Sequence, residues 1–166
     1  ENPTSRAIYI RHINCCWNWG LKHGLIDNAN KLSGDTIGEA RDRVFNKNEL
    51  KALFSSIKCS DFNRFIHFAY YTGARSSEIR SLSRENIKDE YLVTHGKSGK
   101  RIVKLNEQAI QVLKGQGSLW NYSKDFISHK FKKECRNLNI RDARFHDLRR
   151  TFGYNLIKQG MSIYKV

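Results

Sequence analysis

Apolar residues recur along this chain with two different periods, and the changes between them divide it into elements. From about Thr4 to Gly24, residues Ile10, Ile13, Trp17 and Leu21 recur at helical spacing and so share one face of a helix. Gly24 suits its end, because glycine takes the left-handed conformation that stops helices. From Asp27 to Arg43 the period disappears and Asn, Ser, Gly and charge collect, as in a linker. A second helix is predicted from Asn46, whose side chain can cap the free amides while Glu49 reaches back, with Phe45 and Leu50 placed to close a hydrophobic staple. Leu50, Leu53, Phe54 and Ile57 form its apolar face, and Phe62, Phe65, Ile66 and Ala69 define a strongly buried helix that Gly73 ends. Arg75 then opens a short helix holding Glu78, Ile79 and Leu82.

The period changes to two at Tyr91, Val93 and His95, which alternate with Leu92 and Thr94. A turn at Gly96 to Lys100 and the β-branched run Ile102, Val103 complete a β-hairpin. Helical spacing returns after Asn106 with Ile110 and Leu113, and Gly115 and Gly117 break it. Ile127, Phe131, Cys135 and Leu138 define an amphipathic helix with Lys130, Lys132, Lys133 and Arg136 elsewhere around it. A last helix runs from His146 to about Gln159, before Gly160. The fold class is α+β, mostly α-helical, with one small antiparallel hairpin.

Composition narrows the function. With 39% apolar residues, three Trp and nine Phe, the 166 residues contain enough apolar material for a packed core. The 30 Lys and Arg against 16 Asp and Glu give a formal net charge of +14, an attractive field for polyanions, so nucleic acid is the expected partner. No apolar run approaches the ~20 residues that span a bilayer, and no signal-peptide pattern is present, so no membrane partner is expected. Cys15, Cys16, Cys59 and Cys135 lack disulfide-framework spacing and read as reduced thiols of a cytoplasmic protein.

Three stretches carry candidate chemistry. His146 and Arg149, at i and i+3, share a helix face. The arginine fork matches two phosphate oxygens, and the histidine can move a proton at neutral pH. A lone H-x-x-R arises by chance in unrelated proteins, and Arg75 changes that balance. It follows Thr72-Gly73 where one helix ends and another begins, a place where free amides and positive dipole collect. Glu78, one turn on, either orients Arg75 or is simply a carboxylate at a helix N-terminus. Two arginines approaching one phosphate from different elements would neutralise charge in the transition state, where one pre-placed donor is worth ~3–4 kcal/mol in acyl transfer. Lys97 at the hairpin tip suits a general acid or a plain phosphate contact, and spacing alone does not separate them. Lys100 and Arg101 beside it read as DNA contacts.

In this order, T-G-A-R-x-x-E-I-R-x-L at 72–82, G-K-x-G-K-R-x-V-x-L at 96–105 and H-D-L-R-R-T-F at 146–152 resemble the tyrosine recombinase (phage integrase) family. The resemblance implies catalytic roles for Arg75 and Arg149 on the scissile phosphate. It implies Lys97 as general acid toward the 5′-hydroxyl, His146 in proton transfer with a tyrosine nucleophile, and Glu78 as a buttress. It implies site-specific cleavage and rejoining of double-stranded DNA through a 3′-phosphotyrosyl intermediate, with no metal, cofactor or ATP, by a homo-tetramer on DNA encoded by a bacterium or phage. Residues 1–30 would be the end of a core-binding domain, 31–44 a linker and 45–166 a catalytic domain.

The family's L-G-H box and tyrosine do not follow, so the expectation is a fragment lacking its nucleophile, monomeric or poorly associating, and inactive alone. Tyr164 lies 15 residues after Arg149, too close for that tyrosine, and Tyr154 lies on the Arg149 helix itself. Two alternatives stay open: a non-catalytic DNA-binding module derived from an integrase, or a type IB topoisomerase. Other apparent motifs are chance. Gly96-Lys97-Ser98 lacks the earlier glycine of a P-loop, His12 with Cys15 and Cys16 has no second ligand pair, and Gly115-x-Gly117 has no third glycine.

Overall fold

A computed structural model describes residues 3–34, 41–96, 99–114 and 119–163. The chain forms two compact units, Glu1–Arg41 and Asp42–Val166. The first is helix α1 (Pro3–Lys22) with a segment that runs back along it. Ile26 packs against Gly20, Ile10 fits against Gly34, and the Asn14 side chain both donates to and accepts from the Leu32 backbone at 2.9 Å. Residues 26–34 are therefore held against α1 by Ile26, Gly34 and the Leu32 backbone. The predicted apolar face of α1 is only partly covered: Ile10 and Trp17 are half-buried, whereas Ile13 and Leu21 are exposed. One short returning segment is too little surface to cover a helix of 20 residues.

The second unit begins where Asn46 caps α2 (Lys47–Ser56). Asn46 Oδ1 accepts from the Glu49 N–H at 2.9 Å, and Glu49 Oε2 accepts from the Asn46 N–H at 3.0 Å, the reciprocal box expected. Helix α3 (Ser60–Thr72) is the centre of the core. Phe62, Phe65, Ile66 and Phe68 have no solvent exposure, each burial contributing about 2–3 kcal/mol. Around Phe65 stand Phe145, stacked at 5.3 Å, and Trp120, edge-on at 5.6 Å. Trp120 also donates its Nε1–H to the Asp61 carbonyl at 3.1 Å, so its polar atom is satisfied.

Short α4 (Ser76–Arg80) and a 3-10 turn (Arg84–Asn86) lead to β1 (Tyr91–Gly96) and β2 (Gly99–Lys104). The strands pair antiparallel with Leu92 opposite Val103 and Thr94 opposite Arg101. Leu92, Thr94 and Val103 are buried while Tyr91 and Ile102 are exposed, the alternation of a ribbon packed on one face. Asn106 caps α5 (Glu107–Lys114), accepting from the Ala109 N–H at 2.9 Å. Gly115 and Gly117 lie outside the described residues. Helix α6 (Lys124–Asn137) buries Ile127, Phe131 and Cys135, as its spacing predicted. Helix α7 (His146–Lys158) packs on α3 and closes the unit. Among the described residues no helix is long and apolar enough to cross a membrane.

Candidate functional site

The site is built around the turn that ends α3. Gly73 has φ +60 and ψ +16, and its N–H reaches back to the Ala69 carbonyl at 3.0 Å. Thr72 locks the turn from inside: its hydroxyl donates to the Phe68 carbonyl at 2.7 Å and accepts from the Ala74 N–H at 3.2 Å. A Cβ on residue 73 would overlap the Phe152 ring of α7, so the turn lies directly against that helix. Glycine is required here for its conformation and for the close approach together.

Arg75 follows as the residue before α4, in extended conformation. Glu78, in the first turn of α4, has no solvent exposure. Its Oε2 accepts from the Arg75 backbone N–H at 2.7 Å, and its Oε1 accepts from Arg75 Nη1 at 2.9 Å. Of the two uses open to Glu78 in the sequence, it fulfils both. Burial pushes its carboxyl up, but the backbone and side-chain hydrogen bonds from Arg75 and the field of Arg101 outweigh that, leaving it below the ordinary carboxylate value.

From α7, Arg149 Nη1 donates to the Gly73 carbonyl. The second arginine is thus tied to the turn that presents the first. Burial lowers the Arg149 guanidinium below its ordinary value, and the charges of Arg101 and Arg75 lower it further. His146, one turn before Arg149, is lowered by burial and then by Arg150, Arg149 and Arg75, against an opposing push from Asp147. Arg75, Arg149 and His146 therefore share one electrostatic neighbourhood, which disfavours the charged imidazole.

The start of α7 is fixed by a residue the sequence did not single out. Asp147 is fully buried, accepting from the Arg144 N–H at 2.8 Å and from Arg150 Nη1 at 2.9 Å. Thr151, also fully buried, donates to the Asp147 carbonyl at 2.7 Å and accepts from the Phe45 N–H at 2.8 Å. Both sit in the stretch that resembles the family, but their burial has no local signal, because Asp and Thr are ordinarily surface residues.

The hairpin residues divide. Lys97 lies outside the described residues. Lys100 is exposed beside the turn. Arg101 is not simply a surface contact: its Nη1 lies 3.2 Å from Glu78 Oε2, turned inward from β2. The two-residue period running back from buried Val103 was the signal available for this. Among the described residues no three His, Cys, Asp or Glu side chains gather as a metal ion would need.

A family comparison matches residues 43–166 to the phage integrase family. Among solved structures, the lambda integrase dimer bound to a COC′ core site matches with a TM-score of 0.73 at 16% identity, covering 95% of this chain and 68% of that one. The Tn1549 transposon integrase in complex with circular intermediate DNA matches at 0.67 and 15% identity, covering 94% and 67%. The XerA recombinase matches at 0.62 and 16% identity, covering 74% and 53%. At such identities the likeness shows the fold, and the chain spans about half to two thirds of the length of these proteins. A search of curated proteins finds no match. With its family match extending over three quarters of the sequence and its fold shared with these recombinases, the chain belongs to the phage integrase family, and its second unit has the fold of a tyrosine recombinase catalytic domain.

Proposed function

We propose that this chain supplies the phosphate grip of an enzyme that cuts and rejoins double-stranded DNA at specific sites through a 3′-phosphotyrosyl intermediate. What supports this most is the tie between Arg149 and the Gly73 turn, which brings guanidinium groups from two elements to one place. Lambda integrase and the Tn1549 integrase, which share the fold, were both captured on DNA.

In the reaction a tyrosine oxygen attacks the phosphorus, a new O–P bond forms and the bond to the 5′ oxygen breaks. Arg75 and Arg149 each offer paired donors to the non-bridging oxygens, whose charge grows in the transition state. They are pre-placed, Arg75 by Glu78 and Arg149 by the Gly73 carbonyl, so little reorganisation accompanies binding. His146, neutral before substrate arrives, can take the tyrosine proton and later return it. Lys97 protonates the departing 5′ oxygen. The phosphotyrosyl ester keeps the bond energy for rejoining, so no nucleotide cofactor enters.

Tyr154 is a poor nucleophile for this site. It lies five residues beyond Arg149 on α7, about 140° around the helix from it, and is exposed. Tyr164 lies outside the described residues. We propose that a tyrosine other than Tyr154 is the nucleophile and that four copies assemble on paired sites.

The test is covalent trapping of the full-length protein on a nicked duplex carrying its own recombination sequence. Adduct is expected with the wild type, and Arg75→Ala and Arg149→Ala should each slow its formation by ~100-fold or more. Adduct forming at the wild-type rate in either variant would remove that arginine from the site.

A further inference from the structure

The sequence placed Arg101 beside the hairpin tip as a DNA contact, and the structure gives it a second partner. Val103 is buried, and the strand period brings Arg101 to the same inward side of β2, opposite buried Thr94. A guanidinium on the inner face of a strand needs an anion. It finds Glu78, with Nη1 at 3.3 Å from Oε1 and 3.2 Å from Oε2. The same carboxylate holds Arg75 through its side chain and its backbone N–H. Two arginines from different elements thus share one carboxylate that has no solvent exposure, while both guanidinium groups keep an open side: their side chains are 42% and 32% exposed for Arg75 and Arg101.

The mechanical consequence follows from the hairpin's size. A two-stranded ribbon is marginally stable alone and holds its place through what it packs on. Leu92 and Val103 anchor its base in the core. Toward the tip, Arg101 is tied to α4 through Glu78, and Lys97 stands four residues before Arg101 in the sequence. We propose that Arg101 is a positioning residue: through Glu78 it clamps the β1–β2 hairpin to the helix that follows Arg75, so that the strand carrying Arg101 and the phosphate grip keep one geometry. This rests on Arg75 and Arg149 being the phosphate grip. Arginine suits the clamp because one nitrogen of its planar guanidinium, Nη1, faces both carboxylate oxygens while the group stays charged.

The clamp predicts a loss in reaction rate at saturating DNA, whereas a plain phosphate contact predicts a loss in affinity. Using the full-length protein on its nicked recombination duplex, adduct formation and duplex affinity are measured for Arg101→Gln, Arg101→Lys and Arg75→Ala. Lys51→Ala, on the exposed side of α2, controls for loss of one positive charge. Arg101→Gln is expected to slow adduct formation ~100-fold at saturation, as misplacement by about 1 Å can do, with affinity within ~3-fold of wild type. Arg101→Lys should recover part of the rate, and Lys51→Ala should match the wild type. An Arg101→Gln protein that reacts at the wild-type rate while Arg75→Ala is inactive overturns the clamp and leaves the grip intact. An active Arg75→Ala protein overturns the grip itself. A readout independent of catalysis is the Glu78 carboxyl, followed by 13C NMR in the absence of DNA. The cations facing it are Arg75 from the turn before α4, Arg101 from β2 and Arg149 from α7. Arg101→Gln, or Arg101→Met if the first variant does not fold, should move its titration upward, and an unmoved midpoint overturns the clamp.

Discussion

At the scale of single residues, Glu78 and His146 are governed by burial and by the same arginines. Glu78 without its negative charge would leave Arg75 and Arg101 facing each other. Both heads retain contact with water, so the cost falls below the range for fully buried pairs: Glu78→Gln should lower stability by about 2 kcal/mol in denaturant unfolding. For His146 the sign follows from its surroundings. Burial, Arg150, Arg149 and Arg75 hold it below its ordinary 6.5 in the free protein, and a bound phosphate should raise it by offsetting those charges. Imidazole 15N NMR should therefore show a midpoint below 6.5 that moves upward on addition of duplex DNA. Because the unfolded chain takes up this proton first, the group costs the fold stability as pH falls through about 6.5. His146→Gln should accordingly lose less stability than the wild type between about pH 7 and 5.

At the scale of elements, the α3–α4 turn against α7 decides the geometry. Gly73→Ala meets both a left-handed conformation, costing about 1–2 kcal/mol, and an overlap with Phe152, costing a further ~1–3 kcal/mol. Thermal unfolding should show the combined loss, and Phe152→Leu should restore part of it by making room for the methyl group. Much at this scale was legible in the sequence. The Asn46–Glu49 box, the Gly73 stop, the switch to a two-residue period and the spacing of Ile127, Phe131 and Cys135 are local signals, and the structure contains each of them. What escaped was set by contacts distant in sequence. Phe45 and Thr151 join residues 106 apart, and Arg101 reaches Glu78 across 23. The uncovered apolar face of α1 escaped for a related reason: periodicity shows that a face exists, and not what packs on it.

At the scale of the whole molecule, charge dominates. The net +14 is distributed over several elements. Lys132, Arg136, Arg141 and Arg144 line a cavity of about 500 Å³ at the end of α6. Affinity for duplex DNA should fall steeply with salt as phosphates release their counterions, by about 10³-fold between 50 and 200 mM for around six phosphate contacts. Filter binding across that range measures it, and a flat response would remove DNA as the partner. The central claim is narrower: Arg75 and Arg149 act on one phosphate as one unit. Single-turnover adduct formation by Arg75→Lys, Arg149→Lys and the double variant tests it most directly. Groups acting together give strongly non-additive losses, so the double variant should be little slower than the worse single one; a double loss equal to the product of the two single losses would show that the arginines work apart.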